Sequence, residues 1–268
     1  MDFTLTAYKN LLTTLQSAGY AFYTFEHYLS IPKHAEKFVI LRHDVDEYSG
    51  NALKMAKIEH TLGIKSTYYF RIIKQSNNPE IIKQIAAMKH EIGYHYEDLA
   101  MAEGDYEKAI KSFQLNLAYF RNYYPIKTVC MHGSATSKHD NRLLWSTYKL
   151  EDFDLWGEPY LSLDFKKIFY LSDTGYAWDG GKFAVRDVVE NSFGISYHST
   201  QEIIQSIEKG KLPSQVMILA HTLWTNNYFQ WIVLHLREFI RNNFKRMARN
   251  NAFLMRIYAI LVKIYWKK

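Results

Sequence analysis

Phe38-Val39-Ile40-Leu41-Arg42-His43-Asp44-Val45-Asp46 is an apolar run that turns ionisable at its end, and the residues after it have a different rhythm. Over residues 50–62, Leu53, Met55, Ala56 and Ile58 recur on one face of a helix while Lys54, Lys57 and Glu59 point outward, and Gly63 stands where a C-cap belongs. A strand over 38–41 feeding acids into an amphipathic helix is one βα unit of a parallel sheet.

The unit repeats downstream. Apolar or β-branched runs at 66–70, 91–94, 128–131, 169–171 and 216–220 predict five further strands. Helices are expected at 79–89, with Pro79 in the first turn, and at 106–123, 137–148 and 200–208, the last closed by Gly210 and Pro213. Residues 173–194 read as a polar loop region, and there is no internal repeat or low-complexity linker. Past the strand ends stand, in order, Asp44 and Asp46, Arg71, His95, His132, Asp173 and His221. In a (β/α) barrel all strand C-termini open on one mouth, where functional groups converge. Each residue alone reads as an ordinary hydrogen-bonded structural group, but six strand ends carrying acid, imidazole or guanidinium read as a site.

The composition permits this fold. A chain of 268 residues, 48% of them hydrophobic, buries a full core and suits one α/β domain. The net charge of +6 does not mark a nucleic-acid binder. Nine Lys/Arg against Glu238 alone put +8 on residues 225–268, leaving 24 basic and 26 acidic residues, near −2, on residues 1–224. Cys130, the only cysteine, rules out an internal disulfide and a cysteine-based zinc site and is expected in the core. The N-terminus lacks the basic start, apolar block and cleavage site of a signal peptide, so the expected compartment is the cytoplasm.

Two carboxylates one residue apart can divide labour, one binding a divalent cation and the other taking a proton from water. Imidazoles from other strand ends complete an Asp/His set suited to Zn²⁺ or another first-row metal. Cleaving an amide also needs an acid for the departing nitrogen, a role for which His221 is placed.

Arg42-His43-Asp44-Val45-Asp46, Gly63-Ile64-Lys65-Ser66-Thr67-Tyr68-Tyr69-Phe70-Arg71, His90-Glu91-Ile92-Gly93-Tyr94-His95-Tyr96-Glu97, Met131-His132-Gly133-Ser134 and Ile218-Leu219-Ala220-His221 together resemble the NodB-homology, carbohydrate esterase 4-type polysaccharide deacetylases. More narrowly they resemble the WbmS-like branch found with bacterial surface-polysaccharide genes. The resemblance spans about residues 38–222 and implies a distorted (β/α) barrel with a bound divalent metal that removes N- or O-acetyl groups from carbohydrate. It implies Asp44 as catalytic base, Asp46 and His95 as metal ligands, His221 as catalytic acid and Asp173 as the group that orients it.

The sequence departs from the family pattern at two places. Val45 splits an acid pair that is usually adjacent, and Leu99 occupies the place of a second metal histidine, four residues after the first. His132 is the replacement ligand, with Glu97 behind it. Arg71 or Arg186 is expected to steady the base, and these two with Trp178 to contact substrate. Tyr96, Trp145, Trp156, Tyr160 and Trp178 are candidates to stack on sugar faces, though packing is the ordinary role of each. His90 should lie at the opposite barrel end, and His139 and His198 on the surface.

Residues 225–268 form a separate basic amphipathic extension. In a single helix over 237–267, Arg241, Lys245, Arg249, Arg256, Lys263 and Lys267 would share an arc of roughly 80° at about 100° per residue, with most of the remainder apolar. Such a helix lies peripherally on the inner membrane, docks to a partner enzyme, or packs on the barrel with its basic residues outward. Two other functions compete with the hydrolase. Asp44-Val45-Asp46 is also the DxD of many glycosyltransferases, although only about forty residues precede it and the later histidines would then lack a purpose. The other is a catalytically inactive scaffold, suggested by Leu99.

Overall fold

A computed structural model describes residues 1–133, 137–178, 188–190 and 193–248. The elements run α1 (Leu5–Ser17), β1 (Ala21–Tyr23), α2 (Phe25–Ser30), β2 (Phe38–Val45), α3 (Ser49–Thr61), β3 (Thr67–Phe70), α4 (Pro79–Ala87), β4 (Glu91–Tyr96), α5 (Asp98–Met101), α6 (Tyr106–Arg121), β5 (Val129–Met131), α7 (Pro159–Ser162), β6 (Phe169–Ser172), α8 (Thr200–Glu208), β7 (Gln215–Leu219) and α9 (Tyr228–Ala248). Two 3₁₀ segments, Asn141–Ser146 and Leu150–Phe153, lie between β5 and α7.

Seven parallel strands form one curled sheet in the order β5-β4-β3-β2-β7-β6, with β1 paired to the start of β2. Among the described residues no pairing joins β5 to β6, so the parallel βα rhythm closes only partway, as an open form of the distorted (β/α) barrel that the resemblance implied. The outward face of the sheet packs on helices: Val39, Leu41, Val216 and Ile218 meet α1 and α8, while Ile92, Tyr94 and Tyr96 meet α6. The inward face carries the residues between these, and that alternation builds the site.

Five elements, α1, β1, α2, α5 and α7, escaped the sequence reading. Leu5, Tyr8, Leu11, Leu12 and Leu15 of α1 are all buried, but the Thr and Lys residues between them mask the 3.6-residue period. Thr4 caps that helix, accepting from the Ala7 N–H. β1 and α2 are too short to announce themselves. The helix expected at 137–148 is a short 3₁₀ segment, Asn141–Ser146, whose start is set by the Asp140 side chain accepting from the Arg142 N–H.

Strand length also differs, and here it matters. β2 continues to Val45, so Asp44 is still in the strand and the next inward position is Asp46. The intervening valine therefore keeps both acids on one face. Adjacent acids inside a strand would have pointed to opposite sides.

At the far end of the barrel the inward layer holds Thr67, Glu91 and Thr128, with both threonine hydroxyls donating to Glu91. Burial pushes this carboxyl up to about 7, against those hydrogen bonds and one from the Glu26 N–H. His90 belongs to this end, as expected: its Nδ1 accepts from the Ser66 N–H and its Nε2 reaches the Ala56 carbonyl.

Candidate metal centre

Arg42 and Asp44 on β2 with Asp46 just past it, Tyr69 on β3 with Arg71 just past it, His95 on β4 with Glu97 just past it, Cys130 on β5 with His132 just past it, and His221 after β7 follow the inward face of the curled sheet. The site thus follows from the two-residue period of parallel strands in register.

His95 donates from Nδ1 to the Cys130 carbonyl at 2.9 Å, which leaves the Nε2 lone pair aimed into the mouth. That nitrogen lies 3.4 Å from Asp46 Oδ1 and 3.4 Å from His132 Nδ1, and His132 Nδ1 lies 3.0 Å from the same Asp46 oxygen. One donor atom from each of the three residues falls within a 4.8 Å cluster. Asp46 Oδ1 is buried and makes no hydrogen bond. A buried carboxylate oxygen without a donor, facing two imidazole nitrogens, is a donor set that fits a divalent cation. Burial opposes the Asp46 charge, but the His132 and His95 rings hold its carboxyl well below the usual range.

A second group, Asp44, His95 and Cys130, is also close enough to share an ion. Its carboxylate is already committed, since Arg42 donates to Asp44 through Nε (2.8 Å) and Nη2 (2.6 Å) in a bidentate pair. Cys130 is buried as expected, yet its thiol faces this cluster, a placement the sequence reading excluded because it treated a lone cysteine as core filling. Against the cost of burial, the Arg42 guanidinium, then His95 and His221, hold the Asp44 carboxyl below its ordinary value.

Arg42 was missed. It stands two residues before Asp44 on the same strand face, and that spacing was the available signal. Its guanidinium also donates to the Tyr160 hydroxyl at 3.2 Å and lies 4.8 Å above that ring. The expectation that Arg71 or Arg186 steadies Asp44 is corrected: Arg71 is bound to both Glu97 oxygens, at 2.6 and 2.9 Å, because that carboxylate stands nearer on the neighbouring strand. Arg186 lies outside the described residues. Glu97, spent on Arg71, comes only within 4.0 Å of His132 Nε2 and is not in the cluster. Leu99 is buried beneath α6, so the place where the resemblance implied a second metal histidine contributes packing.

On the other wall, Asp173 accepts from the His221 backbone N–H (2.9 Å) and bonds the ring Nδ1 at 2.6 Å, while Trp224 Nε1 donates to its second oxygen at 2.8 Å. Burial disfavours a charged ring at His221. The Asp173 carboxylate overrides that, with Asp46 and Asp44 adding to it, and the imidazole is pushed up to about 10. Trp224 was not foreseen, and no local pattern marks it.

Trp178 is also a correction. Only 4% exposed, it donates to Thr200 Oγ1 and packs on Phe3 and Trp224, so it is core and presents no face to a sugar. Tyr96 and Trp145 bond each other on the outer side of the sheet. Trp156 lies over Lys127 and lines a polar hollow with Lys65, Lys89 and Glu91 at the far end of the barrel. Of the five aromatic candidates only Tyr160 reaches the site, through Arg42. His198 is exposed as expected, whereas His139 is half-buried, its ring packed against Gly104.

No family model and no curated protein matches the chain. Among solved structures it is similar to a peptidoglycan N-acetylglucosamine deacetylase (19% identity, TM-score 0.40, covering 78% of this chain and 82% of that one). A family 4 carbohydrate esterase from Streptomyces lividans, solved in complex with acetate, has 15% identity and a TM-score of 0.40 over 78% of this chain and 88% of that one. A CE4 family pseudoenzyme from Bacillus anthracis has 12% identity and a TM-score of 0.42 over 75% of this chain and 61% of that one.

Proposed function

We propose that this protein is a divalent-cation-dependent carbohydrate deacetylase. The observation that carries the reading is the convergence of Asp46 Oδ1, His95 Nε2 and His132 Nδ1, with the Asp44–Arg42 pair on one side and the His221–Asp173 pair on the other. Asp46, His95 and His132 would hold the cation, which we take to be zinc, and it would supply Lewis-acid chemistry at the site. Asp44, kept ionised by Arg42, accepts the proton of the attacking water. His221, charged through Asp173 on Nδ1, donates from Nε2 to the leaving nitrogen or oxygen as the bond to the acetyl carbon breaks. Acetate and the free sugar amine or hydroxyl result. In the DxD glycosyltransferase reading, His95, His132, His221 and Asp173 have no task.

The motif resemblance supports a finer reading: a WbmS-like enzyme of bacterial surface-polysaccharide assembly, acting in the cytoplasm or peripherally at the inner membrane on an acetylated sugar nucleotide or lipid-linked glycan. The test is metal analysis of purified protein beside its Asp46→Ala and His95→Ala variants, followed by acetate release from acetylated sugar nucleotides and glycans. The wild type retains about one equivalent of cation per chain and releases acetate, and both properties are lost in the variants, with a rate fall on the order of a thousandfold, or about 4 kcal/mol. A wild type that binds no cation refutes the proposal. Sugar transfer from a nucleotide donor would establish the competitor, and cation binding without acetate release the inactive scaffold.

A further inference from the structure

α9 is built inside out. Every exposed residue between Tyr228 and Ile240 is apolar: Tyr228, Phe229, Ile232, Val233, Leu236, Phe239 and Ile240, with Phe229 at 77% and Phe239 at 67%. At about 100° per residue these seven fall within an arc of roughly 140°. The polar groups face the body: Glu238 is buried, Arg237 pairs with Glu47 and bonds the Tyr48 hydroxyl, and Asn242 Nδ2 donates to the Gly175 carbonyl at 2.7 Å. This inverts the orientation expected for a helix packed on the barrel, with apolar side chains outward and Arg237 turned in. A continuous apolar stripe of this length on a surface helix marks a contact site.

Two observations choose its occupant. Glu47 directly follows Asp46, and Gly175 lies two residues beyond Asp173, so α9 is pinned to the two rim loops that continue from the metal centre and from the partner of His221. The outward stripe therefore lies about one helix diameter, roughly 10 Å, beyond these loops. Charge supplies the second: beyond Arg241 the chain carries seven Lys/Arg and no Asp/Glu. A second copy of the chain would bring this basic segment against its own like, whereas an anionic surface complements an apolar stripe that runs on into basic sequence. No described helix is long and apolar enough to cross a membrane.

We infer that the outward face of α9 rests on an anionic lipid bilayer and sets the mouth of the site beside it, so that the acetylated carbohydrate arrives on a lipid carrier. The carrier clause rests on the deacetylase reading; the bilayer contact does not.

The experiment compares full-length wild type with a Phe229→Glu/Phe239→Glu variant, and with Phe229→Ser/Phe239→Ser should the first not fold. Cosedimentation with phosphatidylglycerol vesicles falls by about a hundredfold in the variant, while helix content and bound cation stay unchanged and neutral phosphatidylcholine vesicles bind neither protein. Acetate release from a short soluble acetylated sugar is equal in the two, and release from a lipid-linked acetylated sugar in vesicles drops at least tenfold in the variant. Equal vesicle binding by wild type and variant overturns the bilayer contact, as does a wild-type dimer that the variant dissolves. Equal rates on the lipid-linked substrate overturn the carrier assignment. A soluble assay silent in both proteins removes the deacetylase reading and leaves the vesicle result standing.

Discussion

Arg42→Met tests the centre of the site through stability alone. Arg42 and Asp44 are side chains at 0% and 3% exposure joined by two hydrogen bonds. Removing one member of a buried pair strands the other charge, at a cost of about 3–5 kcal/mol. In a chain of this size that lowers Tm by about 6–20 °C, at about 2–4 °C per kcal/mol. The sign with pH follows from Asp44. In the wild type its carboxyl is depressed, so its contribution is present above the unfolded value and lost as pH falls through the folded one. In the variant burial acts unopposed by Arg42 and raises the same carboxyl, so ionisation there costs stability at neutral pH. Urea unfolding should accordingly show the largest gap between wild type and variant at pH 7, narrowing towards pH 4. Arg42→Met/Asp44→Asn regains most of the loss because no charge is stranded. A single variant within about 1 kcal/mol of wild type at pH 7, or a double variant no more stable than the single, would refute the pairing.

Three further outcomes follow from the geometry. Asp173→Asn removes the charge that holds the His221 ring at about 10, so the alkaline limb of the acetate-release profile moves down towards or below the ordinary histidine value of 6.5, with little change in KM. Glu59, buried among His43, Tyr8, Tyr68 and Ser66, is held at about 2 because, although burial opposes its charge, His43 and His90 favour it. Relative to its usual 4.5 this contributes about 3 kcal/mol, present above pH 5 and lost as pH falls towards 2. Glu59→Gln should therefore flatten acid unfolding followed by circular dichroism, and an unchanged acid midpoint would count against the network. Gly93→Ala drives a methyl into the Tyr69 ring and to 2.9 Å from the Thr128 carbonyl, and thermal melts should show a loss of about 1–3 kcal/mol or more.

The strand rhythm around 38–46 was enough to read the barrel and its mouth, because parallel strands repeat one simple pattern and place their ends together. That Asp46, His95 and His132 would come together was legible for the same reason, and so was the meeting of His221 and Asp173, each the first ionisable group after an apolar run. What could not be read depended on distances across the fold. Whether Arg71 reaches Asp44 or Glu97 is decided by which carboxylate stands nearer on the adjacent strand. Whether Trp178 faces a sugar or Phe3 is decided by α1, whose period was hidden among threonines and lysines. The direction in which α9 turns its apolar face depends on Glu47 and Gly175, residues distant from it in sequence.

The Asp44 carboxylate and its guanidinium partner are two residues apart on one central strand, so they move as a single rigid cassette. A loop that opens or closes over the mouth need not assemble this unit. If the proposed deacetylase reading holds, grafting new rim segments between strands β5 and β6 would alter which sugar enters while leaving the Asp44 carboxylate at the charge its base role requires. Selection, or a designer, can vary the guest without retuning the base.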